Sequence, residues 1–345
     1  KLIQVTQQGS GKVMERVLYA LDTFCESFDE DIENHLESLV GTLVEVVMKD
    51  FETKVKQVAL SALASVITSA DKKIMPYFQK IVEVLGNILN SLADMTVKAS
   101  SLQSLGTLAS SSTLEQFNPY IQESSNLAYS YLNTDNLEFR EAAFAFFYNL
   151  SNLLKENTAP YFDTVFEQAL TSCETAEVHV EDDLEDQETQ LTLKIRTAFL
   201  DEKTAALHTV GSFCKACPQQ ALPYLERISK VMEYLFEYYH ENIRMQCVTT
   251  ASQITEGISK TGFGNIQQFW FVNVVPHYLD MLTQDDSKEV VCRVLESVEE
   301  LVKSIKKELL PENYMAQFIQ AFKVLLEEDA ECQKEGDETE GDHDE

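Results

Sequence analysis

Apolar residues recur along the chain at the three-four spacing of amphipathic helices in seven stretches: Val13–Phe28, Val55–Ala70, Val97–Ser112, Phe139–Asn157, Lys203–Cys217, Ile243–Lys260 and Val290–Lys306. A basic residue stands near the start of each. Arg16, Lys56, Lys98, Arg140, Lys203 and Arg244 follow one another at intervals of 40, 42, 42, 63 and 41 residues. The long interval is one period of 42 plus 21 further residues, which fall where the composition turns acidic. A second marker alternates with the first, as Pro76-Tyr77, Pro119-Tyr120, Pro160-Tyr161 and Pro223-Tyr224, with Pro276 and Pro311 in the corresponding places of the last two units. Proline suits the first helical turn, where its missing N–H had no intrahelical partner. Each proline therefore predicts a second helix: 76–92, 119–132, 160–175, 223–239, 276–283 and 311–328. The 276 helix should begin earlier, near Gln268, and kink at Pro276. In the first unit the acidic Asp29–Asp31 takes the proline's place and suits a helix N-terminus through its dipole.

A two-helix unit of about 40 residues is the HEAT or armadillo period. Such a pair cannot bury its apolar face alone, so neighbours stack and share one core. The expected fold is all-α: a right-handed superhelical HEAT-repeat solenoid of about seven two-helix repeats over residues 1–330. Asp50, Asp94, Asp135 and Asp286 precede the basic marker by a few positions, a pairing that HEAT repeats carry between units. Only 11 Gly and 7 Pro occur, about half the usual frequency, which agrees with a chain short of strands and tight turns.

Charge narrows the partners. The chain holds 27 Lys and Arg against 57 Asp and Glu, a net charge of −30. Such a field repels nucleic-acid backbones and anionic membranes and attracts basic proteins. The excess is concentrated: Glu174 to Gln190 and Glu327 to Glu345 together supply −18 of it. The first reads as an acidic insertion loop (174–190), the second as an acidic tail or the start of another loop (327–345).

The seven scattered cysteines suit a reducing compartment rather than a disulfide framework. No leader is visible, and a start at Lys1 with a close inside an acidic run reads as a segment cut from a longer protein. Thr261 to Leu279 is too polar to span a membrane. Cys214 and Cys217 have redox or zinc spacing but no second ligand pair, and read as two cysteines at a helix end. Gly9-Ser10-Gly11-Lys12 departs from the phosphate-loop pattern, with Val13 where Ser or Thr belongs, and Gly262-Phe263-Gly264 lacks a third glycine. No enzymatic activity, cofactor or metal is expected.

The chain resembles the importin-β (karyopherin-β) superfamily of nuclear transport receptors, nearest the importin 4 and importin 5 group. The resemblance rests on the two-helix period, on Pro160-Tyr161-Phe162 and Leu222-Pro223-Tyr224-Leu225, and on the run Ile195 to Ala205 with Glu202-Lys203 directly after the acidic insertion. It covers the whole chain as a middle portion of a receptor and implies a monomer that shuttles between cytoplasm and nucleus. The implied partners are basic cargo (nuclear localisation signals, core histones, ribosomal proteins), Phe-Gly nucleoporins and, in the intact receptor, the Ran GTPase. No Ran site is carried onto these residues.

Two cargo-binding surfaces are expected. One is the acidic loop, through Glu181, Asp182, Asp183, Glu185, Asp186 and Glu188, whose carboxylates raise the local concentration of a lysine-rich peptide. The other is a concave ridge on the second helices: Glu123, Asn126, Tyr129, Asp163, Glu167, Glu226, Glu233 and Glu237. There Gln122, Glu174, Tyr234 and Tyr238 also count as outward, and carboxylates interleaved with Asn and Tyr can pair an ammonium while packing its stem. The bland alternatives are a solvated loop and ordinary solvated helix faces. Phe139, Phe144, Phe146, Phe147 and Tyr148 exceed what one apolar stripe buries; core packing is the simpler account, a Phe-Gly pocket the other. Trp270 reads as core packing. Competing functions are a HEAT scaffold for a multiprotein complex and an acidic histone chaperone.

Overall fold

The structure, a computed structural model, describes residues 11–26, 31–176, 186–305, 309 and 311–334. The chain forms two compact units, Lys1–Ala216 and Cys217–Glu345, and the described residues contain helices and no strand. Among the described residues seven helix pairs follow one another along the sequence. In the first unit the first helices are α1 (Gly11–Glu26), α3 (Thr53–Ala70), α5 (Met95–Ser111), α7 (Leu137–Leu154) and α9 (Asp186–Ala216). The second helices are α2 (Leu36–Met48), α4 (Phe78–Leu89), α6 (Leu114–Leu132) and α8 (Phe162–Glu174). First helices pack side by side in chain order, and each second helix lies against the first helix of the next pair: α2 on α3, α4 on α5, α6 on α7, α8 on α9.

That stagger gives an interior first helix neighbours on several sides, so more than one stripe is buried. Helix α5 meets the demand with small residues: Ala99, Ser101, Ser104, Gly106 and Ala109 are buried along with its leucines. A Cβ on Gly106 would sit 2.9 Å from the Phe146 Cα, so glycine lets α5 and α7 approach. The same geometry accounts for the aromatic excess on α7: Phe144, Phe146 and Phe147 are core residues, while Phe139 and Tyr148 are half-buried. Buried hydroxyls tie successive first helices. Ser104 Oγ donates to the Leu60 carbonyl at 3.1 Å, and Thr209 Oγ1 to the Phe144 carbonyl at 3.0 Å.

Capping places several helix starts. Thr113 and Gln116 form a reciprocal capping box that starts α6 at Leu114, so Pro119 lies inside that helix instead of opening it. Pro76, Pro160 and Pro223 sit in short 3₁₀ turns just ahead of their helices rather than at the first α-helical residue. Asp71 and Lys155 open two of these turns at φ 45° and 52°, five residues before each Pro-Tyr pair. Asp94 caps α5 by accepting the Thr96 hydroxyl at 2.6 Å and the Thr96 N–H at 2.9 Å, which together hold its carboxyl below the usual range, and Asn136 caps α7.

Across the 63-residue interval α7, α8 and α9 are joined by a buried polar clamp. Arg140 Nε donates to Glu202 Oε1 at 2.9 Å; the Ser172 hydroxyl donates to the same oxygen at 2.7 Å and accepts from Arg140 Nη2. The Lys203 side chain is wholly buried, and its Nζ donates to the carbonyls of Ser172, Cys173 and Thr175 at 3.0, 2.9 and 2.9 Å. These carbonyls are at the end of α8, where helical C=O groups lack intrahelical partners and carry the negative end of the dipole. An ammonium is costly to bury unless it is fully bonded, and α8 supplies the bonds. The Glu202-Lys203 pair of the sequence is thus structural. Helix α9 begins at Asp186, well before the expected Lys203, so the C-terminal part of the acidic insertion (186–190) is helical.

The second unit repeats the plan with α10 (Leu225–Phe236), α11 (Glu241–Ser259), α12 (Val275–Gln284), α13 (Lys288–Ile305) and α14 (Glu312–Leu326). First helices α11 and α13 pack together; α10 lies on α11 and α12 on α13. Arg244 uses all five N–H groups. Nε and Nη2 grip Asp285 at 2.8 Å each, Nη2 also reaches Asp286 at 2.7 Å, and Nη1 donates to the carbonyls of Tyr238 and Tyr239. The buried partner is Asp285 rather than the expected Asp286, whose side chain is 85% exposed. A π-helix, Gln267–Val274, leads into α12, closed by a bond from the Val275 N–H to the Trp270 carbonyl, which agrees with an early start near Gln268. Trp270 is core, its indole N–H donating to the Leu309 carbonyl at 3.0 Å.

Lys203→Met should lower the stability of the first unit by about 2–3 kcal/mol in urea unfolding, because charge-assisted bonds are lost and carbonyls stranded. Lys155→Gly should raise stability by about 0.5–1 kcal/mol, since glycine relieves a positive φ that a lysine adopts at a cost. A loss on Lys155→Gly would contradict that backbone reading.

Candidate functional site

Second helices have one unburied stripe each, and between α4 and α6 these stripes face a groove of about 740 Å³. Val82, Gly86, Leu89, Leu105 and Leu127 contribute apolar surface; Glu83, Asn87, Asn90, Tyr120, Glu123 and Asn126 contribute polar groups. No Lys or Arg lines it. Asn90 Nδ2 donates to Glu123 Oε1 at 3.4 Å across the two helices, and Gln122 Nε2 donates to Asn126 Oδ1 at 3.2 Å. Gln79 Nε2 donates to Glu83 Oε1 at 2.7 Å, orienting the second carboxylate. Two carboxylates and three asparagines above an apolar floor suit a long cationic side chain, whose stem packs while its head is bonded.

The other ridge residues divide by location. Glu123 and Asn126 are exposed and share the groove. Tyr129 is half-buried against Phe147 (ring centroids 5.0 Å) and Tyr161 (6.3 Å), and burial raises its phenol. It is a packing residue more than a ridge residue. Asp163 and Glu167 are exposed on α8, opposite a buried stripe of Phe162, Val165, Phe166, Ala169, Leu170 and Cys173 as the periodicity predicts. In the second unit Glu226, Glu233 and Glu237 are exposed on or just beyond α10. Glu226 is held by Lys230 at 2.8 Å, whose hydrogen bond and charge lower its carboxyl. Tyr234 is exposed but Tyr238 is buried, contrary to the outward reading, because the chain folds back at the end of α10 to let Arg244 take its carbonyl.

Of the acidic-loop residues, Glu181, Asp182, Asp183 and Glu185 lie outside the described residues; Asp186 and Glu188 belong to the first turns of α9. The tail from residue 335 onward also lies outside them. Cys214 and Cys217 are buried thiols at the end of α9. Among the described residues no group of three or more His, Cys, Asp or Glu could hold a metal ion, and no helix is long and apolar enough to cross a membrane.

Sequence reasoning missed Glu83, Asn87 and Asn90. The signal was present: they stand at i, i+4 and i+7 on α4, and Glu83 precedes Glu123 by 40 residues, one repeat. Reading the unburied stripe of every second helix in register would have found them.

A staggered array of helix pairs with a 40-residue period defines a HEAT-type repeat protein, and comparison with known proteins places it further. Residues 1–139 match the family model described as importin subunit beta-1-like, TPR repeats. Human importin-4 is 24% identical over 320 residues, covering 81% of this chain and 29% of its own length. The probable importin subunit beta-4 of Schizosaccharomyces pombe is 22% identical over 265 residues, covering 69% of this chain and 25% of its own. The crystal structure of the karyopherin Kap121p bound to the SUMO protease Ulp1p superposes with a TM-score of 0.65 at 18% identity, over 94% of this chain and 32% of that one. Over most of its length the chain is thus similar to importins of the importin-β superfamily. It spans between a quarter and three tenths of the length of these curated relatives.

The groove's Gly86 has nothing within 4 Å of the position where a Cβ would stand. Gly86→Ala should therefore raise stability by about 0.5–1 kcal/mol through helix propensity alone. Thermal or urea unfolding checks it; a loss would mean that the groove wall is tighter than described.

Proposed function

We propose that this chain is part of a karyopherin-type nuclear import receptor and that it binds basic cargo, core histones or ribosomal proteins being the classes that fit its charge. The observation that carries the reading is the groove between α4 and α6, with its two carboxylates, three asparagines and apolar floor in a protein of net charge −30. Capture begins at long range. The acidic stretch containing Glu181, Asp182, Asp183, Glu185, Asp186 and Glu188 draws a lysine-rich segment in by its field. Seating follows on the second helices, where a lysine stem lies over Leu89 and Leu127 and its ammonium is taken by Glu83, Glu123 and the asparagines. Asp163 and Glu167 in the first unit, and Glu226, Glu233 and Glu237 in the second, offer further carboxylates for the rest of an extended cargo. Tyr129 contributes by packing α6 onto Phe147 of α7 and Tyr161 of the turn before α8. Phe-Gly nucleoporins and Ran act on the intact receptor, which shuttles between cytoplasm and nucleus. Similarity to importins supports the transport class, and the complex of Kap121p with the SUMO protease Ulp1p supports protein cargo.

Fluorescence anisotropy of a labelled lysine-rich histone-tail peptide, at low and near-physiological salt, tests this. Micromolar or tighter binding is expected, weakening with salt by counter-ion screening. Glu83→Gln with Glu123→Gln should weaken it by about tenfold, roughly the 1.4 kcal/mol of a lost charge-assisted bond. Gly86→Leu, which fills the groove, should do the same with both carboxylates intact. Changing Glu181, Asp182, Asp183, Glu185 and Asp186 to Ser should slow association more than it speeds dissociation. Absence of binding at either salt would reject basic-cargo recognition and favour a scaffold role.

A further inference from the structure

A second cavity, of about 540 Å³, lies on the first-helix side of the first unit, and residues of α3, α5, α7 and α9 all line it. Glu141 is part of its wall. The residue is half-buried in a lining it shares with Gln103, Glu138 and Asp201, and its Oε1 accepts a bond from Gln103 Nε2 of α5 at 2.8 Å. The charged groups that face it are few. Helix α3 offers Lys54 at the cavity wall, and α5 offers no charge there, only Thr96, Ser100 and Gln103. Helix α7 offers Glu138; its Arg140 is committed to Glu202 and Ser172. Helix α9 offers Lys194, Asp201 and Glu202, while Lys203 is spent on the α8 carbonyls. Among the described residues no ion pair reaches Glu141, although Arg140 sits one residue away.

We propose that Glu141 holds the α5–α7–α9 junction as a neutral acid and that its ionisation loosens this junction, so that the first-helix stack contains a pH-sensitive joint. Burial, then the negative charge of Asp201, opposes ionisation and raises the carboxyl to about 7; the Gln103 bond works the other way, and Glu138 and Glu202 add smaller upward effects. The sign follows from linkage. Between the ordinary carboxyl range and about 7 the folded unit holds a proton that the unfolded chain has lost, so stability is complete at low pH and declines as pH rises through 7. The joint sits where α7 and α9 meet, next to the clamp that spans the long interval, so a small shift there reaches three pairs of helices.

His208 on α9 runs the opposite way. It packs on Tyr148 at 4.9 Å, and burial lowers it to about 4, so its contribution is lost as pH falls below the ordinary histidine range. A comparison of wild type with Glu141→Gln cancels His208, which both contain. Gln is nearly isosteric and still bonds Gln103.

The test is unfolding of the full chain by urea from pH 5 to pH 8.5, in parallel for wild type and Glu141→Gln. The ratio of their unfolding constants should grow by about tenfold per pH unit up to about 7 and then level, one proton being linked. Parallel pH profiles would overturn the proposal. Two further readings bear on it independently of the variant's stability. In wild type labelled with ¹³C-glutamate, one side-chain carboxyl absent from Glu141→Gln should titrate near neutrality; titration in the ordinary range would overturn it. Hydrogen exchange of α7 and α9, corrected for intrinsic rate, should lose protection between pH 6 and pH 8 in wild type alone. Equal loss in both proteins, or none in either, would reject the loosening.

Discussion

A pair of short amphipathic helices cannot bury its own apolar faces, and the organisation of each unit follows from that constraint. Each second helix covers the first helix of the following pair, and first helices are enclosed by neighbours while α4 and α6 each keep an unburied stripe. Enclosure explains the small residues of α5, the glycine at 106 where α7 passes close by, and the phenylalanines of α7 that no single stripe accommodates. One-sided cover explains why the stripes of α4 and α6 remain free to line a groove. Core and site are two consequences of the same stagger.

Polar groups in such a core need a purpose, and here they bridge elements that apolar contact alone leaves in ambiguous register. Lys203 fastens the open end of α8, Glu202 and Ser172 fasten Arg140, and Arg244 spends every donor on two turns. Lys203 and Arg244 are saturated with bonds, which is the condition for buried charge to be tolerated. Glu141 is different, because its one side-chain bond is to the neutral Gln103 and the charges that act on it most, Asp201, Glu138 and Glu202, share its sign. The groove differs again: its carboxylates are exposed, oriented by neutral amides, and left without an internal cation among the lining residues. Saturated charges hold the fold together, and the groove's unsaturated ones remain available to a ligand.

Where reading of the residues succeeded and where it failed has a physical pattern. The period, the seven pairs and the buried stripe of α8 were legible because burial repeats with the helix turn, and repetition averages out local exceptions. Starts were less legible. Pro119 was taken as a first residue, but Thr113 and Gln116 cap the helix five residues earlier, and a proline one turn further in is accommodated. The start of α9 was hidden by its acidic, weakly periodic sequence. At the candidate site, Glu123 and Asn126 were legible as outward positions on one helix. Their partners on α4 were not, because nothing local says that stripes one repeat apart converge.

The sequence by itself determined the helical class, the repeat length, the family resemblance and the sign of the chain's own net charge. Each of these is a property of composition or of spacing along one dimension. Tertiary structure alone decided that Glu202 and Lys203 are internal fasteners rather than surface charges, that Tyr238 is buried and Tyr234 is not, and that Glu83 and Glu123 face one cavity. A side chain's solvent exposure and its neighbours depend on which helix lies across from it, and that is fixed by the packing of segments forty residues apart.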